Sequence, residues 1–366
     1  MKYLVIPDSF KGSLEAEKFI ELIKSELTKE EIDSSYFFPA FDGGDGFSKI
    51  ITKIVDGVTL TNKYADGNFK TKVAQFGMKN RTAYIGVSDT SSLPLTEIKD
   101  PKITTTYGLG QQILNAIEYG CDNIVIGLGG SSTNDGGCGM LAALGTKFFN
   151  EYGDPFIPVG GDLIDIQNIE LDNFYTNIQN VKFTCLCDVD NPLLGKNGCS
   201  YIFAKQKGAK EEEFEFLDNN MKNYYIKTNE VIPNAVDLNG AGAAGGLGYA
   251  LKYYLNATIV SGANYFLDLI DFCKRIKEVD VVITGEGRFD KTSLNGKICG
   301  TIAKLANKYN KPCLVFCGCN GDLTGIPENT KVYSLLDPSL STEDNYALTE
   351  SHLIEAFKIA ISELNK

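Results

Sequence analysis

The residues best suited to chemistry gather in short polar loops rich in glycine. Residues 127–145 read Gly-Leu-Gly-Gly-Ser-Ser-Thr-Asn-Asp-Gly-Gly-Cys-Gly-Met-Leu-Ala-Ala-Leu-Gly, directly behind the apolar run Ile124, Val125, Ile126. A strand that turns through glycines and hydroxyls into a helix lets the backbone approach a ligand closely. The helix start then offers unpaired N–H groups and the positive end of its dipole. This pattern predicts an anion, phosphate above all, at the helix N-terminus, beside Gly129, Gly130, Ser131, Ser132 and Thr133. A tight strand-to-helix turn without a ligand is the simpler alternative.

Phosphoryl transfer needs cationic donors on the phosphates, Mg²⁺ held by carboxylates, and a group that aligns or deprotonates the attacking hydroxyl. The chain can supply all three. Lys11, Lys207 and Arg288 sit in glycine-containing loops, and Asp42, Asp45, Asp188, Asp190, Glu286 and Asp290 are candidate carboxylates. Each also has a plain structural use: Asp8 or Asp135 as a helix cap, Arg288 as a partner of Asp290, Lys207 as a solvated surface charge. The phosphate-loop pattern Gly-x-x-x-x-Gly-Lys-Ser/Thr is absent around Lys11, Lys196 and Lys297, so a nucleotide would be held differently. The single histidine, His352, lies in a C-terminal segment of helical apolar spacing and reads as a helix-surface residue. Acid–base work then falls to carboxylates or lysines.

Two stretches carry competing readings. Residues 185–190 run from an apolar strand into Asp188-Val189-Asp190, which is also how haloacid-dehalogenase-type phosphatases begin, with the first Asp as nucleophile and the second as acid/base. Pro192 departs from that pattern. Residues 239–248 match Gly-x-Gly-x-x-Gly through Gly240, Gly242 and Gly245, but follow a polar segment containing proline where a dinucleotide site has a strand. Close helix packing or approach of a ligand accounts for these glycines. A flavodoxin-like sensor that binds without turnover is a third possibility, against which the many loop carboxylates speak.

These loops need elements to hold them. The apolar patterns predict strands over 2–6 and 36–40 with a helix over 13–27 between them, then a helix to about 55. Three strands over 58–64, 70–76 and 81–87, joined by turns such as Asp66-Gly67-Asn68, predict an antiparallel or mixed sheet. A helix over 104–119 leads to the strand at 124–126, and a further strand over 180–186 ends at Asp188. From 279 the pattern returns to strands over 279–284, 313–317 and 331–335, with helices over 296–309 and at the C-terminus. Two βα units plus these three give five, the count of a flavodoxin-like parallel sheet. The expected fold is therefore α/β, with a discontinuous flavodoxin-like (Rossmann-like) domain over 1–57 and 269–366 and a second α/β domain over 58–268 inserted in it. Polar loops at strand ends predict a cleft between domains as the site.

Composition narrows the partners. With 366 residues two domains are the natural expectation. A net charge of −12 repels nucleic acid, and no apolar run is long enough for a membrane span. Ten cysteines are scattered through apolar segments, and the pairs Cys185/Cys187 and Cys317/Cys319 have strand spacing rather than zinc-turn spacing, so free thiols are expected. The start of the chain reads as a first strand rather than a signal peptide, which points to the cytoplasm.

Seven motifs in order resemble the type I glycerate kinases over nearly the whole chain. They are Pro7-Asp8-Ser9-Phe10-Lys11-Gly12-Ser13, the loop 42–46, Gly129-Gly130-Ser131-Ser132-Thr133-Asn134-Asp135-Gly136-Gly137, residues 188–193, Gln206-Lys207-Gly208-Ala209, residues 240–248, and Thr284-Gly285-Glu286-Gly287-Arg288. The resemblance implies ATP- and Mg²⁺-dependent phosphorylation of D-glycerate, with 2-phosphoglycerate favoured. It implies ATP phosphate on residues 129–133, helped by Gly240, Gly242 and Gly245. Lys11, Ser13 and Arg288 would hold the glycerate carboxylate or the transferring phosphoryl group, with Asp8, Ser9, Asp42, Asn134, Lys207 and Glu286 as further substrate contacts. Asp188 or Asp190 would orient the attacking hydroxyl or ligate Mg²⁺. The chain departs from the family pattern at Asp45 (often Glu), at Ser132 (often Ala), at Thr292-Ser293 (Gln-Thr), and at residues 85–95, where Glu-Met-Ala and Ala-Ser-Gly-Leu give way to Gly86-Val87-Ser88-Asp89-Thr90-Ser91-Ser92-Leu93. A related activity on another small hydroxy acid stays open.

Overall fold

The computed structural model describes residues 1–10, 12–41, 43–44, 46–294 and 296–364, without the side chains of Tyr175 and Asn177. In chain order the strands are β1 (Tyr3–Pro7), β2 (Tyr36–Phe37), β3 (Val58–Ala65), β4 (Thr71–Lys79), β5 (Thr82–Gly86), β6 (Asn123–Gly127), β7 (Lys147–Phe149), β8 (Pro155–Phe156), β9 (Asn168–Glu170), β10 (Lys182–Leu186), β11 (Thr258–Val260), β12 (Val281–Phe289), β13 (Cys313–Asn320) and β14 (Thr330–Ser334). The chain forms two compact units, one of Met1–Phe41 with Ala263–Lys366 and one of Asp42–Gly262.

The first unit holds a sheet in the order β14-β13-β12-β1-β2. Every pairing in it is parallel. Renumbered within the unit this is 2-1-3-4-5, the doubly wound order of flavodoxin-like sheets. The topology reverses between β1 and β12, so the carboxyl ends of those two strands flank a crevice of the kind that binds ligands in open α/β sheets. All five residues of β1 are buried, as a central parallel strand requires. Tyr3, Val5, Ile283, Leu314 and Phe316 form one core with Phe19 and Ile23 of the helix Ala16–Ser25 and with Leu353 and Phe357 of the helix Thr342–Leu364. His352 lies on that last helix, half-buried, with Nδ1 2.9 Å from the Leu335 carbonyl oxygen.

The second unit holds a sheet in the order β11-β10-β6-β5-β4-β3. Strands β11, β10, β6 and β5 are parallel, while β4 runs antiparallel to both neighbours, so the mixed sheet expected from 58–87 is the edge of a larger parallel one. A small antiparallel sheet, β8-β7-β9, has no counterpart in the sequence reading because its strands are two or three residues long. The helix Phe47–Ile54 packs on β4 and β5, closely enough that a Cβ at Gly77 would lie 1.7 Å from Thr52 Oγ1. This packing ties the helix to the second unit, so the break falls between Phe41 and Asp42, ahead of the boundary at 57 read from the sequence. No helix among the described residues is long and apolar enough to cross a membrane. All ten cysteines are free thiols.

Candidate active site

In the second unit β6 ends at Gly127, paired with Gly86 of β5 and Leu186 of β10, and the glycine-rich loop begins there. The loop is braced from both sides. Ser132 N donates to the Ser91 carbonyl (2.8 Å), its hydroxyl also donates there (2.8 Å), and Thr104 Oγ1 donates to the Ser132 carbonyl (2.9 Å). Gly129 N donates to the Gly43 carbonyl (2.9 Å), and a Cβ at Gly129 would lie 2.4 Å from Gly44 Cα, so only glycine fits. Ser132, Thr133 and Asn134 are wholly buried, with the Asn134 amide donating to Ser200 Oγ at 3.1 Å. What the loop presents outward is Gly130, exposed, and the half-buried Gly129.

The helix that follows, Cys138–Ala143, corrects the expectation of a phosphate at its N-terminus. The anion there is the protein's own. The buried Asp135 carboxylate accepts from Gly137 N (3.0 Å) and Gly139 N (3.2 Å), and also from Thr106 N and Thr106 Oγ1 (both 2.8 Å). Its side chain thus joins the start of this helix to the start of the helix Tyr107–Glu118. Burial pushes the carboxyl above its ordinary value, against these four donated bonds that favour the charged form.

Lys207 is the second buried charge. It is 2% exposed, not solvated, and its ammonium donates to Ser131 Oγ (3.1 Å) and to the Thr133 carbonyl (2.7 Å). Desolvation lowers it from 10.5 to about 8, with the Cys199 thiol and the Asp135 carboxylate pulling the other way. A cation therefore sits behind the glycine loop and holds it from inside. The second glycine stretch packs against the same loop. Gly245 has φ +68°, and a Cβ there would lie 2.0 Å from the Thr133 carbonyl oxygen, while Gly245 O accepts from Gly136 N at 3.0 Å. Gly242 lies against the Pro192 carbonyl and Gly240 beside Cys187 and Val189, all three glycines being buried. Their smallness is explained by contact with protein backbone.

Asp188 and Asp190 follow β10 and are both exposed. Asp188 Oδ1 accepts from Ser261 Oγ (2.8 Å) and Gly262 N (2.9 Å), which fixes its orientation. The turn beyond is pinned by Asp237, which accepts from Leu193 N (2.5 Å) and Leu194 N (3.1 Å). Among the described residues no three His, Cys, Asp or Glu side chains gather as a metal cage.

In the first unit the candidates line the switch-point crevice. Asp8 N donates to the Gly285 carbonyl (2.8 Å), which prolongs the β1–β12 ladder, and Asp8 Oδ1 accepts from Ser9 N (2.7 Å). Ser13 Oγ donates to the Phe10 carbonyl (3.3 Å). Glu286, on β12, is only 6% exposed; Lys297 Nζ stands 3.6 Å from its Oε2, and its Oε1 has no hydrogen-bond partner among the described residues. Desolvation raises its carboxyl. The exposed Arg288 pairs with Asp290 at 3.0 Å, and a bond from Thr292, followed by that guanidinium, holds the Asp290 carboxyl well below the usual carboxylate range. Lys11, Asp42 and Asp45 lie outside the described residues.

The residues so grouped are Gly129–Thr133 with Lys207, Asn134 and Gly245 in one unit, and Asp8, Ser9, Ser13, Glu286 and Arg288 in the other. Sequence reasoning missed Thr106, Ser91, Asp237 and Ser261. The only sign of them was the threonine run 104–106 ahead of a helix, because the rest act through contacts distant in sequence.

Comparison with solved structures gives the class. The whole chain (100%) matches 98% of a crystal structure named for glycerate kinase 2 from Salmonella typhimurium LT2, at TM-score 0.83 and 31% identity, so the fold is that of a two-domain α/β kinase. The pattern of the Glycerate kinase family matches residues 3–364. The glycerate 2-kinase of Escherichia coli strain K12 is 37% identical over 337 residues, 89% of this chain and 87% of that protein. The glycerate kinase of Bacillus cereus strain ATCC 10987 is 34% identical over 365 residues, 96% and 95% of the two chains. The chain belongs to the glycerate kinase family and is a kinase.

Proposed function

We propose that the protein transfers the γ-phosphoryl group of ATP to D-glycerate, with Mg²⁺, giving 2-phosphoglycerate. The observation that carries this reading is the glycine loop: its outward face is bare backbone at Gly129 and Gly130, while Ser131 and the Thr133 carbonyl are held by Lys207, Ser132 by Ser91 and Asn134 by Ser200. The Gly129 N–H is committed to the Gly43 carbonyl, so the backbone at the exposed Gly130, with a fixed cation behind the loop, is what suits the charge that spreads over phosphate oxygens during transfer. Lys11, Ser13 and Arg288 hold the small acid, with Asp8 and Ser9 as its neighbours. Asp188 and Asp190 are the carboxylates for Mg²⁺, whose oxygen preference they match. Two suffice for an ion that keeps waters and takes phosphate oxygens as its other ligands. When bound, the ion would neutralise charge on the triphosphate. The relatives' names, glycerate 2-kinase among them, favour the 2-hydroxyl as acceptor. Release of ADP that depends on both D-glycerate and Mg²⁺ is the expected result; an equal rate without D-glycerate contradicts it.

A further inference from the structure

Building on that function, we propose that Glu286 is the catalytic base that takes the proton from the attacking hydroxyl of the acid substrate. Its position comes first. It lies near the carboxyl end of β12, the strand that borders the switch point with β1, beside the Asp8–Gly285 link that closes the ladder. Its chemistry comes second. A carboxyl group 6% exposed and one oxygen short of a partner is costly to keep, because nearly all buried polar atoms in folded chains are paired. A ligand hydroxyl would complete the bonding of Oε1.

The ligand group that fits is a hydroxyl. A carboxylate would repel the substrate's own carboxylate and the phosphates, whereas a hydroxyl can donate to Oε1. Of the acidic residues that could serve, Asp188 is exposed and its Oδ1 already accepts two hydrogen bonds. In the step, the substrate hydroxyl oxygen bonds to the γ-phosphorus of the nucleoside triphosphate. The bond from that phosphorus to the bridging oxygen breaks to release the diphosphate, and the hydroxyl proton passes to Glu286 Oε1 and later to water. The surroundings suit a base. Asp290 and the buried Cys317 and Cys299 thiols offer it no stabilising charge, the Ser293 hydroxyl favours its charged form, and the exposed Lys297 stands 3.6 Å off. Desolvation prevails over the Ser293 hydroxyl and Lys297 and raises the group above its ordinary 4.5.

The test is steady-state kinetics of Glu286→Gln beside the wild type, with D-glycerate, ATP and Mg²⁺, from pH 4 to 9. Expected is a fall in kcat of about 10²-fold or more, with KM for D-glycerate within about threefold, and loss of the rising acid limb in log kcat. A variant with kcat within about threefold of wild type, or one that raises KM alone, overturns the assignment. If Glu286→Gln does not fold, the wild-type profile extended to pH 4 decides: a rising limb centred above 4.5 supports the base, and a limb centred at or below 4.5, or none, overturns it. Wild type without turnover would sink the proposed function instead, so the two failures are distinct.

Discussion

Lys207 and Asp135 show how two buried charges can serve a loop that neither exposes. Lys207→Met leaves Ser131 Oγ and the Thr133 carbonyl without their donor, so kcat/KM should fall at least tenfold, about 1.4 kcal/mol; an unchanged value would show that the loop holds itself. The titration of Lys207 has a definite sign. Its folded value, about 8, is below the ordinary 10.5, so between those values the unfolded chain binds more protons and stability from this group rises with pH. Below pH 8 the buried ammonium works against the fold while it secures the loop. The same proton loss should set a falling limb of activity near pH 8, which a pH-rate profile of Lys207→Arg should lack. Asp135→Asn turns an amide toward groups that now donate to a carboxylate, at a cost of about 3 kcal/mol or more. The readout is a lower urea midpoint at unchanged slope, and an unmoved midpoint would contradict the role given to this side chain.

At the level of elements, the second glycine stretch behaves as a brace for the first. Gly245→Ala would need a side chain in a left-handed conformation and against the Thr133 carbonyl oxygen, costing roughly 2–5 kcal/mol. The melting midpoint should drop by many degrees, and a drop of only one or two would place the stretch outside the loop's support. The sequence announced much of this layer. Apolar runs such as Ile124, Val125, Ile126 and Leu4, Val5, Ile6 marked buried parallel strands, and glycines marked their ends. It could not announce that Asp135 would occupy a helix N-terminus, since a polar residue in a glycine loop reads equally as ligand contact or cap. Nor did charge alone tell that Lys207 is buried, because burial of a lysine is decided by acceptors such as Ser131 and Thr133, distant in the chain. The break at Phe41 rather than 57 was hidden for a similar reason: the apolar face of Phe47–Ile54 fits any sheet, and only its packing on β4 and β5 assigns it.

For the molecule as a whole, the first unit is a complete 2-1-3-4-5 sheet interrupted once, between Phe41 and Ala263. Phe41 meets Phe266 edge to face with ring centroids 5.0 Å apart, so the chain leaves this unit and re-enters it at neighbouring points. Replacing residues 42–262 with a short glycine–serine linker should leave a fragment that melts cooperatively and has no kinase activity. A fragment with the circular dichroism of an unfolded chain would show that the first unit needs the insertion to fold. Phosphoryl transfer to a small hydroxy acid is tested most directly by phosphorus NMR of the protein incubated with D-glycerate, ATP and Mg²⁺. The expected spectrum gains the phosphomonoester signal of 2-phosphoglycerate as ATP gives way to ADP; ATP signals that persist unchanged, or inorganic phosphate as the only new signal, would contradict it.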